Sequence, residues 1–281
     1  MSAEPLPGAP SCGPVPSKGA ATPTLLGDPA DLRRDGVRIT AFRGSCADFE
    51  VTNHEAGPLS YSIAFTFRSA SGEALVTADQ TVPAVGPGET VKGTAVAELA
   101  RRLDGGAPRS VRIAKVRSVP GAEASAETGP CPPSGVRVFA DQGAAALGLR
   151  AVGLFLENCG AGTVRLNGYP QLQLLDEQHR VVDGVQVLQG GSAIATGADG
   201  TPEPLALGPG ERARATVVWR NTVDVGVGEA VHAPYLRVRA KADSDPVMVI
   251  PELDLGTTGR LGVGPWTRDE TKGPVTGTTR G

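Results

Sequence analysis

Apolar residues recur at every second position in run after run of this chain, and Gly or Pro interrupts each run within about a dozen residues. Tyr61, Ile63, Phe65 and Phe67 alternate with Ser62, Ala64, Thr66 and Arg68. Ala213, Ala215, Val217 and Trp219 alternate with Arg212, Arg214, Thr216 and Val218, and Leu236, Val238 and Ala240 with Tyr235, Arg237, Arg239 and Lys241. Successive side chains of a strand point to opposite faces, so such runs set one face on a core and the other in water, as antiparallel sheets do. The pattern predicts strands near 36–42, 47–53, 60–68, 74–84, 90–97 and 109–118 in the first half. In the second half it predicts them near 135–140, 147–157, 163–166, 171–175, 180–187, 211–220, 235–241, 247–255 and 259–264. A helix is predicted only over Ala97–Leu103, where Asp104-Gly105-Gly106 would end it. The fold class is therefore all-β, two tandem antiparallel β-sandwiches.

Two sandwiches suit the length, since 281 residues is about twice a domain of ~100–150. Pro/Gly-rich stretches mark the boundaries. They give an extended lead-in over 1–30, a first sandwich over 31–119, a linker over 120–134 around Pro130-Cys131-Pro132-Pro133, a second sandwich over 135–266, and a polar, mobile tail over 267–281. The halves echo each other. Gly86-Pro87-Gly88-Glu89 and Gly208-Pro209-Gly210-Glu211 each form a type II turn signal before a Thr/Ala/Val-rich strand. Upstream, Val51-Thr52-Asn53 and Leu156-Glu157-Asn158 each end an apolar strand with Asn, a residue that tolerates left-handed turn geometry.

Four cysteines, Cys12, Cys46, Cys131 and Cys159, fall two to a half, with no CxxC and no His at zinc spacing. An even count in a loop-rich chain fits disulfides in an oxidising compartment. Three pairings are open, and Cys12–Cys46 with Cys131–Cys159 keeps each bridge within one domain. Met1-Ser2-Ala3-Glu4-Pro5 has neither a basic nor an apolar leader segment, and no run approaches the ~18 apolar residues of a membrane helix. The expected location is extracellular or anchored at the cell surface, with the leader or anchor outside this sequence.

Motifs for catalysis are sparse. His54, His179 and His232 sit in polar surroundings, Gly190-Gly191-Ser192-Ala193-Ile194 lacks the second Gly of a nucleophile elbow, and no phosphate-cradling Gly loop carries its Lys. Asp243 and Asp245 read as an acidic turn. No enzyme, cofactor or metal is expected. A secreted hydrolase, or an accessory domain of one, with a carboxylate pair drawn from distant strands is the alternative, although few aromatics are present to bind sugar. The net charge of −3 argues against nucleic acid as a partner. Locally, Arg212, Arg214 and Arg220 share the polar face of one predicted strand and Arg237, Arg239 and Lys241 that of another. If these strands are neighbours, the six form a candidate anion-binding stripe for an envelope polymer or a protein partner.

The second half, with Cys131, then Leu156-Glu157-Asn158-Cys159, Leu166-Asn167-Gly168-Tyr169-Pro170, Gly208-Pro209-Gly210-Glu211 and Trp219, resembles an actinobacterial family of exported domains of unknown function (4232 type) over about 131–266. That family's second cysteine sits just before the Leu of its LxGYP motif, whereas Cys159 lies seven residues ahead of Leu166. The first half more loosely resembles immunoglobulin-like envelope modules through Val51-Thr52-Asn53, Tyr61, Phe67, Gly72, Val85 and Pro87-Gly88-Glu89. The resemblances imply immunoglobulin-like sandwiches at an envelope location. The expected function is a non-catalytic binding or structural module.

Overall fold

A computed structural model describes residues 28–97, 108–194, 198–224 and 228–271. The chain divides into two compact units, Met1–Ala122 and Glu123–Gly281. Both are built of strands with little helix, so the all-β expectation holds. The lead-in up to Gly27, the Cys12 end of the first expected disulfide and the helix expected after Ala97 lie outside the described residues.

In the first unit a single helical turn, α1 (Pro29–Leu32), precedes β1 (Arg33–Arg34), β2 (Val37–Arg43), β3 (Cys46–Thr52), β4 (Leu59–Arg68), β5 (Ala74–Val85), β6 (Thr90–Val96) and β7 (Ser110–Pro120). The turn starts because the Asp28 carboxylate accepts from the Ala30 N–H and Pro29 fits the first helical position. Two antiparallel sheets form, in the orders β1-β2-β3-β6 and β5-β4-β7. Both send side chains into one core: Ile39 and Phe49 from the first, Ile63, Phe65, Phe67 and Ile113 from the second. Phe49 faces Gly93 across the β3–β6 pair, and its ring lies where a side chain at 93 would stand, 2.3 Å from that Cβ position. The glycine thus makes room for the Phe49 ring on the inner face. Thr66 and Ser60, on the polar phase of β4, are buried as well. β4 is the central strand of its sheet, with β5 and β7 on its two edges.

The second unit holds β8 (Val136–Ala140), β9 (Ala144–Ala146), β10 (Leu149–Asn158), β11 (Val164–Leu166), β12 (Gln171–Leu175), β13 (Gln186–Gln189), β14 (Leu205–Leu207), β15 (Arg212–Arg220), β16 (Val231–Ala233), β17 (Tyr235–Arg239), β18 (Val247–Val249), β19 (Leu253–Gly256), β20 (Arg260–Val263) and β21 (Thr267–Arg268). The largest sheet runs β13-β20-β15-β10-β8, with β21 on β15 and β9 on β10. A second sheet is β12-β17-β18, and β11–β14 and β16–β19 pair separately. The β15 alternation is kept: Ala213, Ala215, Val217 and Trp219 are all buried in the core with Leu154, Leu156, Leu236, Val238 and Trp266.

Three features differ from the sequence expectation. The pair β13–β20 is parallel, the exception among the ladders of the described residues, and the long intervening chain supplies the crossover that parallel pairing needs. The strand expected over 247–255 breaks in two where Pro251 lacks an N–H and Glu252 turns to φ 53°. The tail expected from 267 is at first part of the fold: β21 pairs with β15, the Asp269 N–H donates to the Arg212 carbonyl at 3.0 Å, and Asp269 is buried. Residues 123–134 also lie along the second unit. Ala124 bridges to Met248, the Ser125 hydroxyl donates to the Val138 carbonyl, and Cys131 is bonded to Cys159 with Cα atoms 5.6 Å apart. Cys46, at the start of β3, is buried and is not a free thiol.

The two halves share one hydrogen-bond device. Asn53 is fully buried and Asn158 is 1% exposed. The Asn53 amide donates to the carbonyls of Gly57 and Val85, both at 2.8 Å, while its Oδ1 accepts from the Glu55 N–H. Asn158 donates to Gly162 at 2.7 Å and Leu207 at 2.9 Å, and accepts from the Gly160 N–H. The offsets are the same: two residues on, four residues on, and the residue before the Gly-Pro-Gly-Glu turn. Each turn is locked in the same way, for Glu89 accepts from the Gly86 N–H and Glu211 from the Gly208 N–H, both at 2.6 Å. Gly88 and Gly210 take the positive φ that the second central position of a type II turn demands, 69° and 78°. Neither Asn adopts left-handed backbone. Each side chain instead shapes the turn that follows it through its bonds two and four residues on, and in addition satisfies a buried carbonyl across the unit, that of Val85 or Leu207.

Candidate functional site

The structure puts the six predicted anion-binding residues on two different sheets. Arg212, Arg214 and Arg220 lie on β15 in the largest sheet, and Arg237 and Arg239 on β17 in the β12-β17-β18 sheet, with Lys241 just beyond. The expected stripe therefore does not form, because β15 and β17 are not neighbours.

Most of these arginines are engaged within the fold. Arg212 is largely buried and pairs with Glu157 at 2.6 Å; Arg137 approaches the other oxygen of Glu157 at 3.5 Å. The Arg212 guanidinium also stands over Phe139, which stacks on Phe155 with centroids 5.4 Å apart. Arg237 pairs with Glu123 at 2.7 Å and donates to Gln173, and Arg239 donates to the Ser244 carbonyl. Arg214 and Arg220 remain exposed: Arg214 lies over the Phe155 ring, and Arg220 donates to the Ile194 carbonyl at 3.3 Å. Lys241 is exposed, and its ammonium has no partner among the described residues.

Lys241 instead belongs to a cleft absent from the sequence expectation. An open cavity of about 450 Å³ lies over the β11–β14 pair, with Leu166, Pro204, Leu205 and Ala206 as apolar lining and Arg165, Asn167 and Lys241 as polar lining. Arg165 is exposed and, like Lys241, has no side-chain partner among the described residues. The walls are held from behind. The Trp266 N–H donates to the Gly168 carbonyl and its indole to the Ala240 carbonyl, both at 3.0 Å, so one residue ties the Asn167 wall to the Lys241 wall. The Tyr169 hydroxyl donates to Gly200, and Arg268 donates to the Ala206 carbonyl while pairing with Glu211. The Leu-Asn-Gly-Tyr-Pro segment thus lines and braces the cleft. That motif was the signal in the sequence; Arg165 beside it was missed because one exposed Arg carries no pattern.

Among the described residues no three of His, Cys, Asp and Glu form a group able to hold a metal. His179 packs edge-on against Tyr235, and His232 lies 3.7 Å from Glu252. Asp254 accepts from the Trp219 indole at 2.9 Å and from Asn221 at 3.1 Å, with Arg150 at 3.5 Å. Partial burial pulls its carboxyl upward, but these hydrogen bonds and the Arg150 charge carry it below its ordinary value. A carboxyl lowered in the folded state stabilises above its unfolded pKa, and that contribution is lost as pH falls through the folded one. Asp254→Asn is therefore expected to flatten the decline in stability from about pH 5 downward, read by urea midpoints. An equally steep decline in the variant would contradict this role for Asp254.

An all-β, disulfide-bonded unit with a braced cationic cleft is the class of protein this geometry defines. Residues 131–267 match the model of a family described as Domain of unknown function (DUF4232), so the resemblance read from the LxGYP motif and its cysteines holds for the second unit. No curated protein matches the chain. Among the described residues no helix is long and apolar enough to cross a membrane.

Proposed function

We propose that this chain is a non-catalytic binding or structural module of the extracellular space or cell envelope. In this reading it is two tandem immunoglobulin-like sandwiches, and the second docks an anionic polymer or the acidic surface of a partner protein. The Asn and Gly-Pro-Gly-Glu device repeated at Asn53 and Asn158 supports the tandem architecture. The Cys131–Cys159 bond supports an oxidising compartment. An actinobacterial source is in keeping with 22 Arg against 5 Lys. The observation that carries the docking role is the set of exposed cations without acidic partners on one unit, Arg165, Arg214, Arg220 and Lys241.

The test uses the negative charge of the whole chain. With a net charge of −3 and a pI near 5.7, the protein as a whole is repelled by a polyanion at neutral pH, so retention has to come from a local patch. Retention on immobilised dextran sulfate that declines with salt is the expected result. The Arg165→Gln, Arg214→Gln, Arg220→Gln, Lys241→Gln variant is expected to elute at lower salt. No retention of the parent, or an unchanged elution position, overturns the docking role.

A further inference from the structure

The cleft over β11 and β14 combines two features that a polyanion alone does not need. Its floor is apolar, from Leu166, Pro204, Leu205 and Ala206, and its charged lining is cationic only, from Arg165 and Lys241. Uniform attraction to a polymer would be served by cations on a flat sheet. A concave apolar floor adds affinity only for a ligand that has an apolar part to bury. A guanidinium and an ammonium with no acidic partner add affinity for a carboxylate or phosphate, which the planar Arg fork can hold by two parallel hydrogen bonds. The volume of about 450 Å³ falls in the range of about 300–1,000 Å³ typical of small-molecule sites. Bracing of both walls by Trp266, and of the rim by Tyr169 and Arg268, keeps the cleft formed before any ligand enters, which reduces the ordering that binding must supply.

We propose that this cleft binds a small amphiphilic anion, a short apolar chain ending in a phosphate or carboxylate. Arg165 and Lys241 take the headgroup, and the chain lies on Pro204, Leu205 and Ala206. The proposal deepens the anion-docking reading and rests on it for the sign of the ligand charge. It also gives the Leu-Asn-Gly-Tyr-Pro segment a purpose, since Leu166 and Asn167 line the cleft and Gly168 and Tyr169 anchor it.

The probe is octyl phosphate below its micelle concentration, titrated calorimetrically into the full chain. Saturable binding of one equivalent is expected, with inorganic phosphate and octanol each at least about tenfold weaker, because each supplies half of the interaction. Arg165→Gln combined with Lys241→Gln is expected to weaken octyl phosphate at least about tenfold and to leave octanol unchanged. Ala206→Phe, which fills the floor, is expected to weaken both. Circular dichroism and the urea midpoint of each variant establish that it is folded. Absence of saturable binding by the parent, or equal affinity in the double cation variant, overturns the cleft proposal. Retention on dextran sulfate that persists in that case keeps the polymer-docking reading and removes only the cleft. Octyl phosphate binding without polymer retention does the reverse. Sedimentation with anionic phospholipid vesicles then assigns the source: pelleting that the double variant abolishes identifies a lipid headgroup, and binding without pelleting a free amphiphile.

Discussion

Replacing either buried asparagine by alanine is expected to lower the stability of its unit by about 3–5 kcal/mol, far beyond the effect of an ordinary polar-to-Ala change. The loss comes from the backbone groups that each change strands. Asn158→Ala removes the donor from the Gly162 and Leu207 carbonyls and the acceptor from the Gly160 N–H; Asn53→Ala does the same to Gly57, Val85 and Glu55. Each net bond is worth about 0.5–1.5 kcal/mol, and a group left buried without a partner costs about 1–3 kcal/mol. The Val85 and Leu207 carbonyls, bonded by Asn side chains only 0–1% exposed, are left without water, whereas the groups at Glu55, Gly57, Gly160 and Gly162 lie on exposed or half-buried residues that water can reach. Asn→Asp is the sharper variant. It keeps the shape and the acceptor but sets an acceptor-only carboxylate against two carbonyls, so its loss is expected to equal or exceed that of Ala. The measurement is convenient for the second unit, because the only two tryptophans, Trp219 and Trp266, both lie there and their fluorescence follows its unfolding in urea. For the first unit, amide protection in β3 and β5 serves. A loss below about 1 kcal/mol for both Ala variants would mean that the shared device does not hold the strands as argued.

Period-two alternation was enough to read nearly every long strand of the first unit, because β4, β5 and β7 each contain several full repeats. It missed β1, β9, β14, β16 and β21, which have two or three residues and so too few repeats to show a period. Alternation also assigned the right faces on β15: Arg214 and Arg220 are exposed while Trp219 is core. It could not say which sheet a strand joins. The proposed basic stripe failed on that point, since Arg214 and Arg237 lie on different sheets and Glu157 and Glu123 neutralise two of the six cations. The cleft was beyond reach for a related reason. Arg165 and Lys241 are distant in sequence and line one cleft only in the fold, where Trp266 ties Gly168, beside Asn167, to Ala240, beside Lys241. The echo between halves was legible as paired turns and paired Asn residues. Its cause was not, because a buried amide that bonds across a unit and an exposed one that shapes a turn are the same letter.

Removal of the Cys131–Cys159 crosslink is the second change of large expected effect. The bridge closes a loop with a sequence separation of 28, which in the chain-entropy account restricts the unfolded chain by about 3–4 kcal/mol. The bond lies at the surface: Cys131 is exposed and Cys159 half-buried. Replacing both by Ser therefore opens no core cavity and strands no buried group, so nearly all of the measured loss should come from the freed unfolded chain. The neighbouring backbone bonds from the Cys159 and Gly160 N–H groups to the Gly135 carbonyl do not involve sulfur and remain available. The expected result for Cys131→Ser with Cys159→Ser is a tryptophan-detected urea midpoint lowered in line with about 3–4 kcal/mol and a native-state spectrum that does not change. The parent treated with reductant should move to the same midpoint. A double variant as stable as the parent would show that the crosslink restrains nothing the strands do not already hold. Alkylation of Cys131 and Cys159 in unreduced, folded protein would deny the bond itself, and with it the physical support for an oxidising compartment.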